Sequence, residues 1–384
     1  KRVPLSTYRA QNRGGKGRSG MSMRDEDQVS QLFVACTHSP LLFFSSRGIV
    51  YKIKTYRLPE GTPQSIGKAL INLLPLQQGE TISTILTLPE KEEECDGQTV
   101  MFATSSGGVR RNRLSDFYNV NANGKIAMKL DEGDKLIGVE ICDETQDVLL
   151  SAAGGRCMRF PVTDVRIFES RASTGNRGIR LDAGDHVISL SIIKHAETDI
   201  DKRDAYLREA LARRRSAGSD EGDDLEVEST NSVALTSEEF EKMASNEQMI
   251  LTITDKGYGK RSSAYEYRTT ARGGKGIMNI KMDGKRKAHV VASMSVPNDA
   301  HIMLVTDGGQ LIRMRVSDIR IAGRNTMGVI LFRLGKDEKV VSATSITDIE
   351  DETIVTDTCA IENEPTENEI TENTSEEKGD LNDE

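Results

Sequence analysis

One stretch of the chain combines residue types that suit the binding of phosphate groups. It occupies residues 11–17 and reads Gln11-Asn12-Arg13-Gly14-Gly15-Lys16-Gly17. Glycine lets backbone N–H groups approach a ligand closely, and phosphate oxygens receive most protein–DNA hydrogen bonds, many of them from Arg and Lys. A close copy stands far down the chain, at Arg272-Gly273-Gly274-Lys275-Gly276. The duplication favours a repeated anion-binding loop over a single mobile loop.

The sequence offers little for catalysis. Glycine follows both Lys16 and Lys275 where a nucleotide-binding P-loop would have Ser or Thr to bind magnesium. The five cysteines and five histidines are scattered without metal-ligand spacing. We therefore predict no catalytic residue and no metal site, and scattered cysteines favour reduced thiols in a cytoplasmic protein. We predict no membrane span, and a chain that begins with Lys1 rather than Met indicates a fragment or a processed piece.

The net charge of −9 conceals an uneven distribution. Residues 350–384 carry 14 acidic and 1 basic side chain, and residues 197–247 carry 15 and 7, so the other 298 residues have a net charge of +12. A basic body with an acidic tail is typical of a polyanion-binding protein in which the tail competes for the basic surface. The alternative is that both acidic segments only increase solubility.

An internal repeat organises most of the chain. An apolar, β-rich run that ends in a glycine turn and a returning strand predicts a β-hairpin, and it occurs five times, at residues 41–48, 100–108, 148–155, 249–257 and 302–309. A basic residue usually stands four places after the last turn glycine, as in Lys52, Arg159, Arg261 and Arg313. In the second copy this place is Asn112, flanked by Arg111 and Arg113. Arg2 fits it in a unit whose first strand would precede residue 1.

Each unit continues with a second glycine and two further strands. These glycines are Gly17, Gly67, Gly124, Gly178, Gly276 and Gly328, and an apolar strand follows each, as at residues 67–73 and 124–130. Six units of about four strands predict an all-β fold, a closed radial array of blades that leaves few exposed sheet edges. Closure requires a join of the two ends, which the missing first strand of unit one would supply.

Two segments interrupt the repeat. Residues 196–247 lie between units four and five, where residues 202–215 predict a short charged helix and Thr236 with Glu239 a capping box. Residues 216–232 and the tail are polar and acidic, which predicts disorder. We therefore predict one domain over residues 1–349, with a partly helical, partly disordered insert at 196–247, followed by a disordered acidic tail at 350–384.

The stretch at residues 11–17, placed in the first of six β-pinwheel units, resembles the box motif of the C-terminal domain of DNA gyrase A, which is part of a type IIA DNA topoisomerase. Residues 56–63 and 178–181 resemble further parts of that domain. The resemblance covers roughly residues 1–195 and 248–346. The family motif usually has Arg where Asn12 stands.

The resemblance implies a six-bladed β-pinwheel that wraps duplex DNA around its outer rim without sequence preference. Wrapping imposes positive writhe, so that the holoenzyme introduces negative supercoils. ATP and Mg²⁺ are used by the rest of an A₂B₂ heterotetramer of gyrase A and gyrase B, and this chain holds no cofactor. The expected location is the bacterial cytoplasm, at the nucleoid.

The predicted DNA-binding residues are the box, Gln11, Asn12, Arg13, Gly14, Gly15, Lys16 and Gly17, and cations in the other units. The latter are Arg2, Lys52, Lys68, Arg111, Arg113, Lys125, Arg159, Arg177, Arg261, Arg272, Lys275 and Arg313. Two alternatives stay open. One is the corresponding domain of topoisomerase IV, and the other is a propeller-type platform whose basic rim binds an acidic protein.

Overall fold

The computed structural model describes residues 1–7, 18–19, 33–45, 47–170, 173–196, 199–216, 234–282, 288–335 and 337–346. The chain divides into two units, Lys1–Asp348 and Ile349–Glu384. The second unit, the box at residues 11–17 and residues 217–233 lie outside the described residues. The disorder predicted for the tail and for the middle of the insert therefore stays a prediction.

Strands dominate the part of the chain that the structure describes. They are β1 (Arg18–Ser19), β2 (Pro40–Ser45), β3 (Ile49–Lys54), β4 (Ile82–Thr87), β5 (Thr99–Thr104), β6 (Gly108–Arg113), β7 (Lys125–Ile126), β8 (Leu136–Cys142), β9 (Gln146–Ala152), β10 (Arg156–Pro161), β11 (Asn176–Arg177), β12 (Val187–Lys194), β13 (Met249–Thr254), β14 (Tyr258–Ser263), β15 (Ile277–Met278), β16 (Val290–Val296), β17 (His301–Thr306), β18 (Gln310–Arg315), β19 (Val329–Ile330) and β20 (Val340–Ile346). Short 3₁₀ helices follow the return strands, at Thr55–Arg57, Leu114–Phe117, Val162–Asp164, Ala264–Glu266 and Val316–Asp318. Three more are Leu5–Thr7, Leu70–Asn72 and Glu92–Cys95.

These strands form five four-stranded antiparallel sheets in the described residues, which confirms the predicted all-β fold of four-stranded blades. The strand orders are β4-β2-β3-β7, β8-β5-β6-β11, β12-β9-β10-β15, β16-β13-β14-β19 and β20-β17-β18-β1. Each sheet takes three strands from one sequence unit and its fourth, two-residue strand from the next unit. The outermost strand of each described sheet therefore comes from the neighbouring sequence unit.

The sheets are arranged radially. The strands β4, β8, β12, β16 and β20 contact one another in succession, so they lie toward the centre of the array. The two-residue strands lie at the opposite, outer edges. The strand β1 pairs with β18, through Arg18 opposite Leu311 and Ser19 opposite Gln310. This pairing joins the beginning of the chain to its last repeat.

Apolar side chains fill the spaces between neighbouring sheets. Phe44 of β2 contacts Phe102 of β5 edge-on, with ring centroids 5.6 Å apart, and Phe117 completes the cluster. Every residue of β2 is buried, because both faces of this strand are covered. Continuous apolar runs rather than strict alternation follow from such two-sided burial. The segment 67–73 differs from the prediction, since it contains the 3₁₀ helix Leu70–Asn72 instead of a strand.

The insert contains two helices, α1 (Ile200–Ser216) and α2 (Ser237–Asn246), which confirms the predicted charged helix. The predicted capping box is also confirmed, because the Thr236 hydroxyl accepts from the Glu239 backbone and the Glu239 carboxylate accepts in return. The helices pack on the 3₁₀ helix Ala264–Glu266 through Tyr206, Phe240 and Tyr265, with ring centroids 5.0 and 5.2 Å from Tyr206. This aromatic cluster attaches the insert to the repeat that follows it.

Candidate nucleic-acid interface

The basic residues of the return strands β10 and β14 connect neighbouring units. Arg159 and Arg261 are only 3% and 6% exposed. The guanidinium of Arg159 donates to the carbonyl oxygens of Ala264 and Tyr267 in the next unit, at 2.9 and 3.2 Å. That of Arg261 donates in the same way to Ile319 at 2.7 Å. These two side chains are occupied by protein acceptors, so neither presents its charge to a ligand at the surface.

Two further residues of this set make the same kind of contact nearer to solvent. Arg2 Nε donates to the carbonyl of Leu58 at 3.1 Å, and its guanidinium lies 2.8 Å from the Glu60 carboxylate. Lys52 Nζ donates to the carbonyl of Tyr118 at 2.5 Å and stands 4.2 Å from the centre of its ring. Burial lowers the pKa of Lys52. The basic residue of one unit therefore binds the chain beside the 3₁₀ helix of the next.

The structure corrects the register of the second hairpin. Its turn glycine, the one with a positive φ of 88°, is Gly107 rather than Gly108. Arg111, not Asn112, therefore stands four places after it, and Arg111 forms a parallel bridge with Ile167. The same bridge occurs at three of the other five basic places: Arg2 with Glu60, Arg159 with Thr269, and Arg261 with Ile321. Arg111 is buried, Arg113 is exposed and Arg313 is half-buried.

The residue directly before the basic place of a unit also binds backbone carbonyls of the next unit, a role that the sequence did not predict. The Lys260 ammonium is fully buried and donates to the carbonyl oxygens of Gly323 and Arg324 at 2.5 and 2.6 Å. Lys1 donates in the equivalent way to three carbonyls, those of Thr62, Pro63 and Ser65 at 2.6–2.8 Å. Arg110, also fully buried, donates to Ser173 at 2.7 Å and to Ser170. In the sequence, Lys1 and Lys260 stand directly before the basic residues Arg2 and Arg261 of their units, and this shared position was the available signal.

A glycine with a positive φ precedes the two-residue strands β7, β11, β15 and β19, and it explains how these strands reach the outer edge. Gly276 has a φ of 71°, and a β-carbon there would overlap the carbonyl oxygen of Cys157 in the neighbouring hairpin. In unit four this glycine is Gly175, with a φ of 92°, and not Gly178 as predicted. Only glycine combines this conformation with so close an approach.

The predicted cations at the outer edge are more exposed than those of the return strands. Lys68, Arg177 and Lys275 are exposed, and Lys125 and Arg272 are half-buried. Lys125 donates to the carbonyl of Asp116 at 2.9 Å. These five side chains keep a surface position, although Lys125 and Arg272 also donate to backbone carbonyls.

Two neighbouring edge loops are joined directly. Arg272 Nη1 donates to the carbonyl of Arg177 at 3.0 Å, and the Gly273 amide donates to the carbonyl of Gly178 at 2.6 Å. The loop that copies the box therefore lies beside the two-residue strand of the preceding unit. This contact brings Arg177, Arg272 and Lys275 into one basic surface.

With Gly175 assigned as the positive-φ glycine of unit four, a second row of cations can be recognised. Five places after the positive-φ glycines of four units stand Lys129, Arg180, Lys281 and Arg333, and all four are exposed. The residue before each of these four cations is buried, and its backbone N–H donates to the carbonyl oxygen of a hairpin-turn glycine. Met128 donates in this way to Gly48, and Phe332 to Gly257. The row therefore follows the hairpin turns. The sequence carried this signal, but the choice of Gly178 over Gly175 obscured it.

Exposed cations thus occupy equivalent surface positions in several units. Such a distribution suits an extended polyanion, because each neutralised phosphate releases counterions and adds to affinity. No helix in the described part of the chain is long and apolar enough to cross a membrane.

Comparison with known proteins agrees with this repeat. The family model described as DNA gyrase C-terminal domain, beta-propeller, matches six segments, residues 1–36, 39–89, 98–143, 146–194, 248–297 and 300–347. The DNA gyrase A protein of Rickettsia bellii is 49% identical over 352 residues, which is 92% of this chain and 38% of the relative. The Escherichia coli protein is 39% identical over 349 residues, 91% of this chain and 34% of the relative. The chain therefore spans somewhat more than a third of these relatives.

Solved structures share the fold. A DNA gyrase A C-terminal domain superposes with a TM-score of 0.68 at 22% identity, covering 89% of this chain and 94% of that domain. The C-terminal domain of a DNA topoisomerase IV gives a TM-score of 0.59 at 18% identity, covering 85% of both chains. At these identities the likeness concerns architecture alone. The insert at residues 196–247 falls between two matched segments of the family model, which end at residue 194 and begin at residue 248.

Proposed function

This chain belongs to the DNA gyrase C-terminal domain family, and from this premise we propose that it wraps duplex DNA around the outer edges of its sheets. The observation that carries the proposal is the recurrence of exposed cations in successive units. Arg177 and Lys275 represent the edge loops, and Lys129 and Arg333 represent the row beside the hairpin turns.

The repeated arrangement fits a wrap better than a local contact. Bending a 20–30 bp site smoothly by 40–90° costs on the order of 1–6 kcal/mol, so a fuller wrap needs attraction at many points along the path. Contacts to phosphates supply such attraction without reading sequence. We therefore expect binding that is independent of sequence and strongly weakened by salt. The buried Arg159 and Arg261 support the ring and take no part in the contact surface.

In the proposed assembly, this domain joins the remainder of gyrase A and gyrase B in an A₂B₂ heterotetramer in the bacterial cytoplasm. The rest of that assembly uses ATP and Mg²⁺ to pass one DNA segment through another. By wrapping the DNA, the domain gives it positive writhe and places this segment beside the cleavage site. Catalytic residues are assigned to the other parts of the assembly.

The test is the topology of a plasmid bound by the chain. Relaxed plasmid is incubated with the 384-residue chain and a nicking-closing topoisomerase, and the linking number is read on a gel. We expect a shift that decreases with salt and decreases in Arg13→Ala/Lys16→Ala and in Arg177→Ala/Lys275→Ala. The matched control is Arg57→Ala/Arg315→Ala, which also removes two exposed cations, one in the 3₁₀ helix after β3 and one at the end of β18, both away from the hairpin turns.

The outcomes separate the candidates. Tight DNA binding without a change in linking number contradicts wrapping. Absence of DNA binding, together with binding to an acidic protein, favours the interaction platform instead.

A further inference from the structure

The outermost strands of three sheets each end in an exposed apolar side chain. Ile126, Met278 and Ile330 are 63%, 46% and 48% exposed. Each is the second residue of a two-residue edge strand, and each pairs with the first residue of a return strand: Ile49, Arg156 and Tyr258 respectively. The three side chains therefore occupy one position that the fold repeats.

A cation stands near each of these three side chains, either in contact with its backbone or three residues further along the chain. Arg324 Nη1 donates to the carbonyl of Met278 at 2.7 Å, as Arg272 does to the equivalent residue Arg177. Lys129 and Arg333 follow three residues after Ile126 and Ile330. In the sheet β8-β5-β6-β11, Arg177 itself fills the position. The apolar side chains thus lie within the basic surface rather than on a separate patch.

The edge strands are poor sites for pairing with another protein strand. Each has only two residues, and short edges are one means by which proteins avoid pairing between sheets. A duplex, in contrast, offers phosphates to the cations and apolar sugar and base edges to a side chain between them. Proteins that bend DNA through the minor groove frequently combine Arg or Lys with apolar side chains that insert between base steps.

We propose that Ile126, Met278 and Ile330 contact the sugar and base edges of the minor groove of the wrapped DNA, between the phosphates that the neighbouring cations hold. The inference rests on the proposed DNA wrapping. It adds an apolar contribution to binding, which differs from the cationic one because it releases no counterions. Affinity from these residues is therefore independent of salt, whereas affinity from the cations is not.

The experiment compares two triple variants of the 384-residue chain. One is Ile126→Ser/Met278→Ser/Ile330→Ser. The control is Val34→Ser/Tyr56→Ser/Ile200→Ser, which removes three apolar side chains that are 39%, 51% and 53% exposed but lie outside the edge strands. Affinity for a duplex is measured from 50 to 200 mM salt, plasmid linking number is measured beside it, and circular dichroism checks folding of both variants.

We expect the first variant to lose affinity about tenfold at every salt concentration. The slope of log K against log salt should stay unchanged, and the linking-number shift should become smaller. The control should match the native chain. Native affinity and linking number in the first variant would overturn the inference, as would a loss that comes with a shallower salt slope. If the native chain binds no DNA, the proposed function fails and the apolar contact fails with it.

Discussion

Arg159 Nε donates a hydrogen bond of 2.7 Å to Asp147 Oδ2, with both side chains buried. The other carboxylate oxygen, Oδ1, lies 2.8 Å from Nδ1 of His195. Of the remaining guanidinium nitrogens, Nη1 donates to the carbonyl of Ala264 in the next unit and Nη2 donates to that of Lys194 in the same unit. The pair thus lies where two repeats and the beginning of the insert meet. A buried ion pair of this kind fixes geometry, because removing either partner leaves an uncompensated charge.

We expect Arg159→Ala to lower the free energy of unfolding by about 3–5 kcal/mol, since it leaves Asp147 buried without its charged partner. Urea unfolding followed by circular dichroism measures this loss. Arg113→Ala is the control, because Arg113 is exposed on the neighbouring sheet, and its effect should stay within about 0.5 kcal/mol. Equal losses in the two variants would contradict the role of Arg159 in joining the units.

The repeat was predictable because β-hairpins leave a local signature of apolar runs and turn glycines. The exchange of short strands between sheets was not, because pairing of Lys125–Ile126 with a strand some 75 residues earlier depends on packing that no local pattern encodes. The same limit applies to Arg159. A cation four residues after a turn glycine can point into solvent or be buried against the next unit, and the sequence pattern is the same in both cases.

Glycine spacing explains what the sequence could and could not reveal about the site. Gly175 and Gly178 both fit the repeat, and only the positive φ of Gly175 distinguishes the turn. Once this glycine is known, Arg180 aligns with Lys129 and Lys281. The box at residues 11–17, which the sequence emphasised most, stays a prediction because it lies outside the described residues.

Gly276→Ala should destabilise the chain more than Gly133→Ala. Both glycines have a positive φ, of 71° and 80°, so both variants incur a backbone cost of about 1–2 kcal/mol. A β-carbon at Gly276 would also overlap the carbonyl oxygen of Cys157, whereas at Gly133 it would meet nothing within 4 Å. The difference in urea unfolding between the two variants measures the overlap alone. Equal losses would show that the edge strand at Ile277–Met278 accommodates a methyl group.

Tyr51 and Glu80 should make stability depend on pH. The Tyr51 hydroxyl lies 3.0 Å from both carboxylate oxygens of Glu80. Burial alone would raise the pKa of Glu80, but hydrogen bonds from the Gln77 backbone, Ser45 and Tyr51 lower it. Burial, reinforced by Glu80, raises the pKa of Tyr51 to about 12. The contribution of Glu80 is therefore present above the pKa of the unfolded state and lost as pH falls through the folded value. That of Tyr51 persists until pH rises through about 12.

Tyr51→Phe should cost about 1–2 kcal/mol at pH 7. The difference in the free energy of unfolding between Tyr51→Phe and the native chain should be smaller at pH 3, because Glu80 is then increasingly protonated in both proteins. Urea unfolding at the two pH values gives this comparison. Tyr56→Phe serves as the control, since Tyr56 is 51% exposed. A difference that is the same at both pH values would mean that the hydroxyl does not act through the Glu80 carboxylate.

The row of cations beside the hairpin turns should contribute to DNA affinity through counterion release. Each phosphate contact adds about 0.9 to the magnitude of the slope of log K against log salt, so Lys129→Ala/Arg333→Ala should reduce that magnitude by roughly 1.8. Fluorescence anisotropy with a labelled duplex at several salt concentrations measures the slope. Arg57→Ala/Arg315→Ala changes the net charge equally at exposed positions away from the turns. If both pairs reduce the slope alike, overall charge rather than a defined path governs binding, and the row has no special place in the interface.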